Sequence, residues 1–220
     1  MAVFNSAAPD AATLEQINRD VIALMKKIGA AIPPTFRCDG MPIIQLTDET
    51  KAEGEPLDYA AFAGRLSFGG NMYSSDISSY PAGPVRLTVS RWGPNPDDCG
   101  KVIVGKTDLR STSIGTCVGV TIGDHVTLGT RVIILDNDGH SVDRRKPDIR
   151  ENKKAAPVFI EDNAWIGYGA VILKGVRVGR GAVVLPGSVV MWDVPEGGVV
   201  VGNPAKSAKI YQKHFSDPAP

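Results

Sequence analysis

Six is the spacing that constrains this chain most. Every sixth residue from Ile160 gives Ile160, Ile166, Ile172, Val178, Val184 and Val190, all apolar and β-branched. Four positions further on, the column reads Ala164, Ala170, Val176, Ala182, Ser188 and Val194, all small or β-branched. Three positions beyond the first lie Asn163, Gly169, Gly175, Gly181, Gly187 and Asp193, residue types that tolerate left-handed turns. The period extends upstream through Ile122, Leu128 and Ile134, and through Ile114, Val120, Val126 and Val132. A period of six is neither helical nor heptad, and sandwich strands do not recur every six residues.

A short strand plus a turn makes one side of a triangular coil. Three repeats close the coil, and coils stack by parallel pairing at about 4.8 Å. The first column then points inward and stacks on itself, which selects slim aliphatic residues. Composition agrees: aromatics are only 6% of the 220 residues, and fifteen of the 24 glycines lie between Gly105 and Gly202. Lys plus Arg and Asp plus Glu are 24 each, so bulk basicity does not hold nucleic acid to this chain. No apolar run approaches the ~20 residues of a membrane span. The first residues, Met1-Ala-Val-Phe-Asn-Ser, lack the basic and apolar regions of a signal peptide. Cys38, Cys99 and Cys117 are odd in number and form no CxxC, which reads as reduced thiols in a cytoplasmic protein.

Four regions follow. Residues 1–34 hold an amphipathic helix over 13–28, with Leu14, Ile17, Val21, Leu24 and Ile28 on one face and Thr13 with Gln16 as a capping box. Residues 35–100 read as irregular β and loop with imperfect first coils. Residues 101–204 are the β-helix, with an inserted loop at 136–157. Residues 205–220 read as a short C-terminal helix and tail.

The insertion carries the candidate chemistry. Ile134 and Ile160 are 26 residues apart, one repeat plus about twenty, and between them runs Asp136-Asn-Asp138-Gly-His140-Ser-Val-Asp143-Arg-Arg-Lys146. Of the three histidines, His214 lies in a polar tail and His125 in a turn of the repeat. His140 sits where the repeat breaks, with two aspartates close before it. The cations Arg144, Arg145, Lys146, Arg150, Lys153 and Lys154 follow; they read either as a solvated loop or as a contact for an anionic acceptor.

From about Val102 to Ile210 the chain resembles the hexapeptide-repeat acyltransferases, and within them the maltose, galactoside and nodulation-factor type of sugar O-acetyltransferase and their polysaccharide-cluster relatives. Three stretches carry the resemblance: 136–143, 157–175 (Pro-Val-Phe-Ile-Glu-Asp-Asn-Ala-Trp-Ile-Gly-Tyr-Gly and onward) and 199–206 (Val-Val-Val-Gly-Asn-Pro-Ala-Lys). It implies a mainly β fold, a left-handed parallel β-helix, and a likeness to homotrimers with active sites between subunits. It also implies acetyl-CoA as co-substrate, with no metal. His140 would be the general base, held by Asp138, Asp136 or a backbone carbonyl, and the N–H groups around Gly167-Tyr168-Gly169 would stabilise the oxyanion. Trp165, Tyr168, Gly169, Pro186, Met191 and Trp192 would line the coenzyme groove, and Lys206 and Lys209 would meet its phosphates. Tyr168, Pro186 and the Met191-Trp192 pair depart from the residues common at those places in the family.

The function implied is direct transfer of an acetyl group to a hydroxyl of a sugar or glycan precursor. N-transfer to an amino sugar or antibiotic is the alternative from the same family, and a non-catalytic β-helix scaffold is another. A γ-class carbonic anhydrase shares the fold, but its three zinc-binding histidines, one pair spaced HxxxxH, have no counterpart here.

Overall fold

The structure is a computed structural model that describes residues 11–52, 54–73 and 83–208. Its core is a stack of triangular coils, as the six-residue period predicts. One side of the prism, sheet 1, holds six parallel strands: β1 (Ile43–Asp48), β4 (Arg86–Arg91), β7 (Ser113–Thr116), β10 (Ile133–Leu135), β13 (Val171–Ile172) and β16 (Val189–Val190). Sheet 2 holds β2 (Leu66–Phe68), β5 (Val102–Val104), β8 (Val120–Ile122), β11 (Val158–Ile160) and β14 (Arg177–Val178). Sheet 3 holds β9 (Thr127–Leu128), β12 (Trp165–Ile166), β15 (Val183–Val184), β17 (Val199–Gly202) and β18 (Ala205–Ser207). In earlier coils β3 (Met72–Tyr73) pairs with β6 (Leu109–Arg110).

The register stacks like on like. Ile134 lies between Ile114 and Ile172, Ile160 between Ile122 and Val178, and Ile166 between Leu128 and Val184. All of these are buried. Each is joined to its neighbour by parallel pairing, so a wider side chain would strain two coils at once. The turn column behaves as its residue types require: Asn163, Gly169, Gly175, Gly181 and Gly187 all have φ between 60° and 76°. His125 (φ 56°) and Arg131 (φ 64°) occupy the same kind of position one coil earlier. Asp193, predicted in that column, is not among the positive-φ residues.

Coils begin well before residue 101. β1, β2 and β4 already pair in the stack, and isolated bridges from Ala31 to Ser67 and from Cys38 to Met72 extend it to the start. The first coils are filled by Phe36, Phe62, Phe68 and Met72 rather than by Ile and Val, so the aromatics the later prism excludes gather here. Helix α1 (Ala11–Lys27) turns Val21 and Met25 into that same core. Asn18 binds both backbone groups of Cys38, so the helix is stitched to the first coil. The capping box is not formed as predicted. Thr13 lies within the helix, and Gln16 bonds along it to Arg19 and Asp20.

The far end differs from expectation too. Residues 205–207 are not the start of a helix but strand β18, which folds back antiparallel on β17. Ala208 continues the pairing through its N–H to Val199. Lys209, His214 and the rest of the predicted C-terminal helix lie outside the described residues.

Among the described residues, three long excursions leave the prism, after β1, after β4 and after β10, at the corner between sheet 1 and sheet 2. They belong to different coils but share one edge of the molecule. Lys153 of the third reaches Glu49 of the first at 3.6 Å and lies 5.6 Å from the ring centre of Trp92 in the second. All three cysteines are buried free thiols, and burial pushes Cys38 up to about 11, beyond reactive use at neutral pH.

Candidate active site

The excursion that carries His140 is pinned at its root by Asp136. β10 alternates inward and outward, and Asp136 has the inward parity of Ile134, so its carboxylate is fully buried. There it accepts hydrogen bonds from Thr116 Oγ1 (2.5 Å), Cys117 N (3.0 Å), Val118 N (2.9 Å) and Gly119 N (2.6 Å). These donors form the corner turn of the preceding coil, so one carboxylate satisfies a row of N–H groups that the turn leaves unpaired. Asp136 therefore does not hold His140; it holds the corner from which the loop departs.

A short antiparallel stem follows. Ala156 N–H donates to the Asp136 carbonyl and Asp138 N–H to the Lys154 carbonyl, with a bridge between Asn137 and Ala155. Asp138 does not hold His140 either. One of its oxygens takes the ammonium of Lys174, on the next coil, while the other is buried with no hydrogen-bond partner among the described residues. Gly139 then turns the chain at φ 71°, with its N–H on Asn137 Oδ1.

His140 is held by Asp148, a residue that no pattern in the sequence singles out. Nδ1 of His140 lies 2.6 Å from Asp148 Oδ2, and the other carboxylate oxygen accepts the N–H of Ser141 at 2.7 Å. Those two bonds, the imidazole contact foremost, hold the Asp148 carboxyl below the usual carboxylate range. A carboxylate on Nδ1 fixes the proton there and leaves Nε2 as the basic nitrogen. His140 is 85% exposed and borders an open cleft of about 270 Å³ with Ser141, Arg144, Lys146 and Asp148.

The other candidate residues divide into two groups. Tyr168, Gly169 and Pro186 sit at the corner between sheets 3 and 1, in successive coils, and Trp165 is half-buried beside them on the outer side of β12. Met191 and Trp192 lie across sheet 1, at the corner that also bears His140, and Trp192 is 60% exposed. Trp192 lines a groove of about 340 Å³ at the C-terminal end of the prism together with Lys206. Within one chain the two groups are separated by the width of sheet 1. The backbone donors expected around Tyr168 are partly committed: Gly167 N–H bonds Val184 O at 2.7 Å and Gly169 N–H bonds Thr130 O at 3.0 Å. These two amides build the stack and are not oxyanion donors.

The outer surface of sheet 1 is apolar where the two groups face each other across it. Ile133, Val171 and Val189 are aligned by strand register, and Leu135, Leu173 and Met191 stand two residues beyond them. Ile133 and Met191 are among the most exposed large apolar side chains.

Known proteins share the six-residue repeat and the coil fold. Residues 157–191 match the family profile described as "Bacterial transferase hexapeptide (six repeats)". Those residues carry the hexapeptide repeat, and the coils form a left-handed parallel β-helix. A segment of 59 residues is 58% identical to 2,3,4,5-tetrahydropyridine-2,6-dicarboxylate N-acetyltransferase from Staphylococcus aureus, covering 27% of this chain and 25% of the relative. The match thus spans about a quarter of the length of such curated relatives. Among solved structures, AntD, an N-acyltransferase from Bacillus cereus in complex with dTDP and 3-hydroxybutyryl-CoA, superposes with a TM-score of 0.56 at 18% identity over 88% of this chain and 92% of that one. The polySia-specific acetyltransferase NeuO gives 0.50 at 23% identity over 80% and 69%. Among the described residues no helix is long and apolar enough to cross a membrane, and no group of three His, Cys, Asp or Glu side chains is placed to hold a metal ion.

Proposed function

We propose that the protein transfers an acetyl group from acetyl-CoA to an acceptor hydroxyl, with His140 as general base and Asp148 as the residue that orients it. The observation that carries this reading is the 2.6 Å contact between His140 Nδ1 and Asp148, which leaves Nε2 free to take a proton at the edge of an open cleft. The acceptor oxygen attacks the thioester carbonyl as Nε2 removes its proton. The carbon–sulfur bond then breaks, and the proton passes from Nε2 to the departing CoA thiolate. Asp148 stabilises the imidazolium between these two events. No covalent enzyme intermediate is required, and the buried Cys117 takes no part.

The coenzyme lies along the corner of Tyr168, Gly169 and Pro186. His140 reaches it from a neighbouring copy. In a cyclic assembly whose copies meet through sheet 1, the right edge of one face adjoins the left edge of the next. That brings the His140 corner of one chain to the Tyr168 corner of another, which one chain alone does not do. The apolar rows of Ile133 and Leu135 are the surface such an assembly covers, and a homotrimer is the closed form that suits a three-sided prism. Met191 and Trp192 then border the same interface from the His140 side, while Lys206, paired with Val201 at the end of β17, borders it from the Pro186 side, and Lys209 follows it in sequence.

Transfer to an amine is the second reading. It is favoured by the 58% identity over 59 residues to an N-acetyltransferase. Both readings are tested together by His140→Ala. CoA-thiol release is expected to fall about 10²–10⁴-fold while CoA affinity is retained. Turnover close to that of the unaltered protein, with hydroxyl or amine acceptors, would remove His140 from the mechanism.

A further inference from the structure

The cations around His140 are sorted by the structure into those already neutralised and those left over. Arg145 is held by Asp143 of its own turn, with Nε at 2.9 Å and Nη2 at 3.0 Å from the two carboxylate oxygens. Lys153 is drawn under the excursions, where it meets Glu49 and Trp92 and is only 11% exposed. Lys174 is taken by Asp138. The aspartates of the loop are likewise committed. Asp136 binds backbone amides, Asp138 binds Lys174, Asp143 binds Arg145 and Asp148 binds His140. Two cations remain. Neither Arg144 nor Lys146 has an ion-pair partner among the described residues, and both line the cleft of His140.

The rest of that cleft is as informative as its charges. Its walls are His140, Ser141, Arg144, Lys146 and Asp148, with no phenyl, phenol, indole, aliphatic or amide side chain among them. Pockets that select neutral ligands are mostly apolar or aromatic, with a few placed polar groups. This one has only ionic and hydroxyl chemistry, and its one carboxylate is occupied by the imidazole. It has no stacking surface for a neutral sugar ring, yet it presents a guanidinium fork and a point charge for an anion.

Resting on the acetyl-transfer reading, we infer that the acceptor is an anion, bound through a carboxylate or phosphate group by Arg144 and Lys146 beside His140 Nε2. The fork of Arg144 receives two oxygens of the anionic group, and Lys146 adds its charge from the same wall. The hydroxyl to be acylated is then presented to the base by the part of the molecule that does not react, so binding energy is used for orientation. The preference is electrostatic and weakens with added salt, because the cleft is open to solvent.

The test compares matched acceptors in CoA-thiol release: a neutral hexose, the corresponding uronic acid, the hexose phosphate and a nucleotide-linked hexose. The unaltered protein is expected to favour at least one anionic member over the hexose by on the order of 10-fold or more in kcat/KM. The Arg144→Gln/Lys146→Gln double variant should bring that ratio toward one. Uronate and phosphate arms separate the two kinds of anion. A second arm measures binding of the uronic acid and of the hexose phosphate by calorimetry, without acetyl-CoA, in the unaltered protein and in the double variant. A neutral hexose that performs as well as every anion, or a ratio the double variant leaves unchanged, overturns the inference even though transfer occurs. If no acceptor supports turnover, the acetyl-transfer reading fails. The binding arm then decides alone: anion binding lost in the double variant sustains the cleft assignment, and no binding overturns it.

Discussion

Lys153 and Glu49 lie 104 positions apart in sequence, and their side chains meet at 3.6 Å. The contact ties the loop that carries His140 to the first excursion of the prism. Trp92 of the second excursion lies under the same ammonium. Without it, the loop is joined to the coils chiefly through its stem and through Asp138–Lys174. Lys153→Met keeps the aliphatic stem and removes the charge. It should cost about 1 kcal/mol of overall stability. It should also speed amide exchange more over 140–154 than in the strands of sheet 2. Equal change in loop and strands would show that the contact does not hold the loop.

Asp136 is a structural carboxylate, and its replacement should be read in stability rather than in chemistry. Asp136→Asn keeps the shape but turns an acceptor pair into an acceptor and a donor, which faces the N–H groups of Val118 and Gly119. Leaving buried donors unsatisfied costs about 3 kcal/mol. For a chain of this size that corresponds to roughly 6–12 °C in Tm. A variant that melts unchanged would mean that the corner turn finds other acceptors.

The split of the candidate residues across sheet 1 leads to a prediction about assembly. Ile133→Asp places a charge in the middle of the exposed apolar rows, between Ser113 and Val171 in register. Because Ile133 is 38% exposed in the single chain, the substitution should leave the monomer folded. Sedimentation should show dissociation of the oligomer, and acetyl transfer should fall with it. An active protein that sediments as a monomer before and after the change would contradict the two-chain site.

The sequence shows the later prism clearly and the earlier coils dimly, for a physical reason. From Ile160 to Val190 the interior positions are filled by slim β-branched or small residues at fixed spacing, because each side of the coil is one strand and one turn. Before residue 101 the same coils hold Phe68, Met72 and Leu87. Excursions after β1 and β4 also break the count, so the period is lost although the pairing is not. Asp136 shows a signal that alternation does contain. It stands two residues after the inward Ile134, so its parity places it inside, away from the loop chemistry its neighbours imply. Asp148 has no such signal. Its contact with His140 depends on how the loop closes, and neither period nor local spacing encodes that closure.

The partnership of His140 and Asp148 has a pH signature whose direction is set by the carboxylate. The hydrogen bond from His140, then that from the Ser141 N–H, keep Asp148 ionised below the ordinary range of about 3.9. A depressed carboxylate contributes its interaction fully above its unfolded value. That contribution is lost as pH falls through the lower folded value. The loop geometry at His140 should therefore persist at neutral and mildly acidic pH and fail only below about pH 4. A carboxyl carbon titration of Asp148 should give a midpoint below that of an ordinary aspartate. In His140→Ala the midpoint should move upward, because the largest contribution has been removed. A midpoint at or above about 3.9 in the unaltered protein would show that the pair is not formed in solution. His140 would then have no carboxylate to fix its tautomer, and Asp148→Asn would leave acetyl transfer unchanged, where the paired geometry predicts a loss of about 10²-fold or more.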